Sequence, residues 1–402
     1  MRKISILSFC AILGQGVYAQ QEITLPDLYL SQGMAPITTG VPFLLINADA
    51  RSAGMGDMGV ATSPDAFSQQ HNAAKYAFSE KQQGFAISYT PYMASIASDI
   101  SLAQLNYFNK LNERSAIAAS FRYFGMGDIE LMESFGAIPV TVSPNELALD
   151  VSGSLKLSET FSGAVTLRYI SSNLKIPSSN ESGAASAVAV DIAGYYQSEV
   201  MRNNGFDGRL RAGFAIQNMG PKIKYTDDQF SENFLPTNLR LGVGYDFILD
   251  QYNKISAYGE VTKLMVPSHQ YPSYIDANGN GEQDANEPTN WHRNEYREKG
   301  WFGGMFSSFG DAPGGFSEEL KEFTWSLGGE YWYQDSFAFR LGYFHESEMK
   351  GARQYATLGA GFRYNIVNID VSYLFATGAT QNPLENSLRF SLTFNFGKNN
   401  YK

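Results

Sequence analysis

The chain has 402 residues, with 40 Asp and Glu against 30 Lys and Arg, for a formal net charge of −10. That balance excludes a nucleic-acid binder, because phosphates demand a basic face. Only 17% of residues are charged, Gly, Tyr and Phe are plentiful, and helical periodicity is nearly absent, which argues against an ordinary α/β enzyme.

Met1-Arg2-Lys3 precede an apolar run from Ile4 to Leu13, and Val17-Tyr18-Ala19 supply a cleavage site. Residues 1–19 therefore read as a secretory signal peptide, and the run is too short to span a bilayer as a helix. Leu7-Ser8-Phe9-Cys10 makes a poor lipoprotein site, because Phe9 stands where a small residue is needed. Cys10 is the only cysteine and leaves with the signal. The exported chain then has no disulfide framework, thiolate metal site or cysteine nucleophile.

Residues 20–84 do not alternate and are expected to form an N-terminal segment at or inside a barrel. Gly54, Gly56 and Gly59 satisfy G-x-G-x-x-G, the dinucleotide fingerprint. That motif needs a strand before it and a helix after it, and Thr62-Ser63-Pro64 interrupts any helix. Close backbone packing is the reading adopted for these glycines.

From residue 85 the sequence alternates. Leu388, Phe390, Leu392, Phe394 and Phe396 share one face, and Arg389, Ser391, Thr393 and Asn395 share the other. Fourteen such windows follow: 85–93, 100–109, 115–124, 147–155, 161–170, 186–196, 209–217, 238–247, 254–262, 324–333, 337–345, 355–364, 367–375 and 388–396. Each is near the ~9–11 residues a tilted membrane strand needs.

Gaps after even-numbered windows are short (110–114, 156–160, 248–253, 334–336, 365–366), with 197–208 longer. Gaps after odd-numbered windows mostly run long (125–146, 171–185, 218–237, 263–323, 376–387), with 94–99 and 346–354 the exceptions. Segregation by parity marks a membrane barrel, with short turns in the periplasm and long loops outside. The fold expected is all-β: a transmembrane antiparallel β-barrel of about 14 strands over 85–396, with a 397–402 tail. It would sit in the outer membrane among its lipids, with both termini in the periplasm.

The longest outside loop, 263–323, holds a sharp motif. Asp276 to Glu287 fits D-x-[DN]-x-[DN]-G-x₅-E. Oxygens of Asp276, Asn278, Asn280 and Asp284, the Glu282 carbonyl and both Glu287 oxygens could surround a Ca2+ ion, with affinity about 10⁻⁴–10⁻³ M. Gln283 departs from the usual apolar residue and Pro288 excludes a following helix, so a solvated turn cluster is the alternative. Beyond it, Trp301, Phe302, Met305, Phe306 and Phe309 form an apolar stretch outside the membrane, expected either to touch a partner or to fold back over the barrel mouth. His71, His269, His292 and His345 share no ligand spacing. No nucleophile–base grouping stands out, so an enzyme is not expected, nor an organic cofactor.

Ala50–Gly59, Asp65-Ala66-Phe67 and Asn72-Ala73-Ala74 resemble the N-terminal hatch of FadL-type barrels, with Arg51, Gly54, Gly56, Gly59 and Asn72 as its marks. The family's Asn-Pro-Ala is Asn-Ala-Ala here. With Pro26-Asp27, residues 35–43, Asn233 to Gly242 and Gly351 to Tyr364, the chain is similar throughout to the PorV family of the type IX secretion system of Bacteroidetes. That resemblance implies binding of substrates carrying a C-terminal signal domain beside a giant translocon barrel. It also implies their transfer to the surface sortase and attachment complex. A FadL-type transporter of hydrophobic small molecules is the alternative.

Overall fold

The computed structural model describes residues 21–24, 36–93, 99–132, 138–174, 184–225, 232–268, 273–276, 284–287, 298–378 and 387–398. Fourteen antiparallel strands form one ring. They are β1 (Lys81–Pro91), β2 (Ile100–Lys110), β3 (Ser115–Met126), β4 (Asn145–Lys156), β5 (Phe161–Asn173), β6 (Ala184–Gln197) and β7 (Asp207–Met219), then β8 (Asn238–Ile248), β9 (Asn253–Leu264), β10 (Phe323–Tyr333), β11 (Phe337–His345), β12 (Gln354–Tyr364), β13 (Val367–Ala376) and β14 (Leu388–Lys398). Consecutive strands pair, and β1 closes on β14 from Lys81↔Lys398 to Tyr89↔Phe390. Closure leaves no free sheet edge, the condition for strands in lipid. Every expected window coincides with one of these strands.

Side-chain alternation decides which face meets lipid. On β11, Phe339 and Leu341 are 61% and 64% exposed, while Arg340 between them is 2% exposed and faces the lumen. Outward aromatics gather at both ends: Tyr89, Tyr123, Tyr169 and Phe375 at one, Phe337, Phe362, Tyr364 and Phe396 at the other. An apolar band between two aromatic girdles is the exterior of a membrane barrel. The parity of the connections also holds, since 111–114, 157–160, 249–252, 334–336 and 365–366 join strands at one end, and 127–144, 220–237 and 265–322 at the other.

Residues 36–80 fill the lumen. Their first part lies at the long-loop end, where Gly40 N–H donates to the Phe234 carbonyl (2.9 Å) and Phe43 stacks over Phe124. Their last part lies at the short-turn end, where Lys110 donates to the Ser79 carbonyl (3.1 Å) and Lys156 sits over the Phe78 ring. The segment thus crosses the barrel once before β1 begins.

This crossing bears on where the two ends of the described chain lie. The even strand count brings Lys81 beside Lys398, as parity requires. The inner segment adds one further traverse, and the strand Gln21–Thr24 pairs with Ser273–Asp276 of the long loop. The two ends of the described chain therefore lie at opposite ends of the barrel.

Candidate functional site

The inner segment is built from short turns held by their own side chains. Asp49 caps the helix Ala50–Ala53, accepting from the Arg51 and Ser52 N–H groups (2.9 and 3.1 Å). A carboxylate at that position satisfies amides that the helix itself leaves open. Asn72 caps the next turn by accepting from Ala74 N–H, and its amide donates to the carbonyls of Val60 (3.0 Å) and Gly194 of β6 (2.9 Å). One side chain thereby joins two inner turns to the wall.

Buried ion pairs carry the main attachment. Arg51 donates to both oxygens of Glu330 on β10 (2.9 and 2.8 Å) and to Asp65 (2.5 Å). Glu330 also accepts from Arg340 (2.8 Å), which reaches Asp370 (2.7 Å). On the adjacent strand, Glu260 of β9 accepts from the Gly59 and Val60 amides (2.8 and 2.9 Å) and from Arg240 (2.7 Å). Asp57 pairs with Arg389 (2.7 Å) and hydrogen-bonds Tyr355. In a water-poor lumen, such charges are tolerable only when paired in this way.

The glycines give the segment its closeness to the wall. A Cβ on Gly342 of β11 would fall 2.2 Å from Gly56 N, and one on Gly59 would fall 2.3 Å from the His71 ring. Gly56 also takes φ 74°, a left-handed conformation that suits glycine. Gly54 meets Gly359 of β12 at backbone distance. All five residues expected at the hatch (Arg51, Gly54, Gly56, Gly59, Asn72) therefore line the contact between the inner segment and the wall. Gly342→Ala is expected to destabilise the protein by about 1–3 kcal/mol through overpacking. An unchanged unfolding midpoint would show that the contact yields freely.

His71 sits at the centre of this region, 1% exposed. Arg240 can only donate, so its contact to Nδ1 (3.2 Å) makes that nitrogen the acceptor. Nε2 then carries the proton and donates to Ser52 Oγ (2.9 Å), which donates to Asp49 (2.7 Å). Burial, together with the Arg240 guanidinium, holds the His71 imidazole well below its ordinary 6.5. Below pH 6.5 the unfolded chain therefore binds a proton that the folded one refuses, and stability falls as pH drops. Asp49, pushed up to about 6 mainly by burial, acts with the opposite sign between that pH and 3.8. His71→Gln keeps both hydrogen bonds without the titration. The stability difference between wild type and variant should shift in the variant's favour as pH falls from 7 to 5, and parallel pH profiles would refute the assignment.

A cavity of about 540 Å³ opens on the long-loop side of the inner segment. Pro42, Phe43, Leu44, Leu45 and Phe124 form its apolar side, and Arg353, Glu346, Lys350 and Glu322 its charged side. A second, polar cavity of about 410 Å³ lies on the short-turn side. The long loop is clamped over the first mouth by buried charges: Lys263 pairs with Glu319 (2.8 Å) and Glu322, and Lys350 with Glu318 (2.5 Å) and Glu322 (3.0 Å).

The stretch expected to touch a partner or to fold back over the barrel mouth contains the helix Trp301–Ser307. Gly304 approaches Phe234 and Pro267 so closely that a Cβ would lie 3.0 Å from each. Met305 is buried, and the helix docks on the barrel mouth through this side. Phe302 and Phe306, each 60% exposed and with rings 5.2 Å apart, face outward beside Phe309.

Of the expected calcium ligands, Asn278, Asn280 and Glu282 lie outside the described residues, and Asp276 is described only through its strand pairing. Asp284 N–H donates to the Glu287 carboxylate (3.0 Å). Among the described residues no group of three His, Cys, Asp or Glu side chains is placed to hold a metal.

The sequence profile of the type IX secretion system protein PorV matches residues 30–271. No curated relative matches the chain in sequence. Among solved structures, the chain is similar to the Pseudomonas putida toluene transporter TodX (11% identity, 86% of this chain and 97% of that one, TM-score 0.48). It is also similar to a Pseudomonas aeruginosa FadL homologue (13%, 90% and 100%, TM-score 0.46) and to the Ralstonia pickettii toluene transporter TbuX (12%, 87% and 98%, TM-score 0.45).

Proposed function

The chain belongs to the family of the type IX secretion system protein PorV, and from that premise we propose that it is an outer-membrane receiver of secreted cargo. Substrates with a C-terminal signal domain are taken up beside the translocon barrel and delivered to the surface sortase and attachment complex. The observation that supports this reading best is the long-loop end. It combines a docked helix with an outward aromatic face and a cavity with apolar and charged sides. Exposed aromatic pairs on a firmly seated helix suit protein contact. Long loops outside and short turns in the periplasm is the orientation that goes with it.

Affinity purification from the native membrane tests the function. Co-isolation of a giant barrel together with secreted proteins supports it, and recovery of the barrel alone overturns it. The apolar side of the 540 Å³ cavity favours a second reading, carriage of a hydrophobic small molecule, which predicts saturable ligand binding with no protein partners.

Within this proposal, the Asp276–Glu287 stretch is a calcium-ordered part of the surface loop. Calorimetric titration should show binding at about 10⁻⁴–10⁻³ M, lost in Glu287→Gln. Absence of heat at millimolar calcium would sink it.

A further inference from the structure

We propose that the N-terminal residues of the exported chain form a strap that orders the long loop, displayed at the end of the barrel opposite the C-terminus. Three observations on the page converge. The inner segment runs from the long-loop end to the short-turn end, so its first described residues lie on the long-loop side. There Gln21–Thr24 adds antiparallel to Ser273–Asp276, with register Glu22↔Ile275 and Thr24↔Ser273. The strand it joins carries Tyr274, whose side chain is only 2% exposed.

A short strand inside a long loop has few backbone partners of its own, and an isolated two-stranded pairing is marginal in water. Burying the tyrosine of one strand and tethering the other through the wall-bound inner segment reduces the closure entropy of that pairing. The strap also ends against Asp276, the first residue of the candidate calcium stretch. If the signal is removed after Ala19, the new end lies one residue before the strap, with no extra chain to obstruct it. The pairing itself does not depend on the proposed function; only its placement on the cell surface rests on the proposed orientation.

The exported chain has no cysteine, so introduced pairs report cleanly. Directly opposed antiparallel residues lie about 4.5–5.5 Å apart at Cα, within disulfide range. Glu22→Cys with Ile275→Cys should crosslink in the folded full-length protein under mild oxidation, identified as linked peptides by mass spectrometry. Glu22→Cys with Ser273→Cys, two residues out of register, should link at least about tenfold less. Equal linking in both pairs, or none in the first, overturns the pairing. Deleting residues 21–24 should raise the rate of external proteolysis in the loop between 277 and 297 about tenfold. An unchanged rate, with the barrel still folded by heat-modifiable gel mobility, overturns the strap. If the deletion does not fold, the oxidised crosslinked protein serves instead: it should be cleaved more slowly than its reduced form, and equal rates overturn the strap. On intact cells, an impermeant maleimide should label Glu22→Cys and not Asn365→Cys. The reverse labelling would overturn the surface placement while leaving the pairing to be judged by the crosslink.

Discussion

Glu330→Ala is expected to lower stability by about 3–5 kcal/mol and to loosen the inner segment from the wall. The magnitude follows from what one carboxylate does. Its two oxygens receive Arg51 from inside the lumen and Arg340 from the neighbouring strand, so one deletion leaves two buried guanidiniums without their main partner. Asp65 and Asp370 remain, but each already serves one of these arginines. The urea midpoint should fall, and protease should reach residues 36–80 in the variant before it reaches them in wild type. The control is Arg51→Met with Glu330→Met, which removes opposite charges together and should restore much of the loss. A midpoint unmoved by Glu330→Ala would mean that water already enters the network.

Phe302→Ser with Phe306→Ser should abolish recovery of the translocon barrel while leaving the host barrel folded. Both rings are outward, in mutual contact and on a helix seated by Gly304 and Met305, so their removal does not open the core. Buried aromatic anchors at protein interfaces cost about 2 kcal/mol or more each when truncated. Two such losses reach ~1,000-fold in affinity, enough to empty a pull-down. Deleting 301–310 should have the same effect, but it also removes the seating contacts and is the blunter test. Full recovery of the partner with both phenylalanines replaced would exclude this helix from the interface.

The barrel was legible because lipid enforces it. A closed sheet with apolar exterior must alternate, and Arg389 stood out on the polar face of its strand before its partner was known. The partners themselves were hidden. Nothing local says that Glu330 faces Arg51, 279 residues away along the chain, since that pairing is set by where a non-alternating segment lies inside the ring. The hatch glycines were readable as close-packing residues, although the opposing Gly342 and Gly359 looked like ordinary strand glycines. The docking side of the helix was not legible, because hydropathy along a loop does not say which side of a seven-residue helix packs inward. Loop parity counts only strands and so carries no information on the traverse made by the inner segment.

The attachment of the inner segment has a thermodynamic character unlike that of the barrel around it. Most of its named anchors are hydrogen bonds and ion pairs, formed by Arg51, Asn72, Asp57 and the amides of Gly59 and Val60. When an apolar core opens, water has nothing to offer the exposed surface. When a polar interface opens as a whole, water replaces each bond on both sides, and the net loss per bond is about 0.5–1.5 kcal/mol. The seal is therefore sensitive to single lesions, which strand a charge in place, yet reversible as a unit. Those exchangeable bonds stand beside apolar contacts, such as Met55 and Met58 against Tyr258, inside a wall that lipid makes permanent.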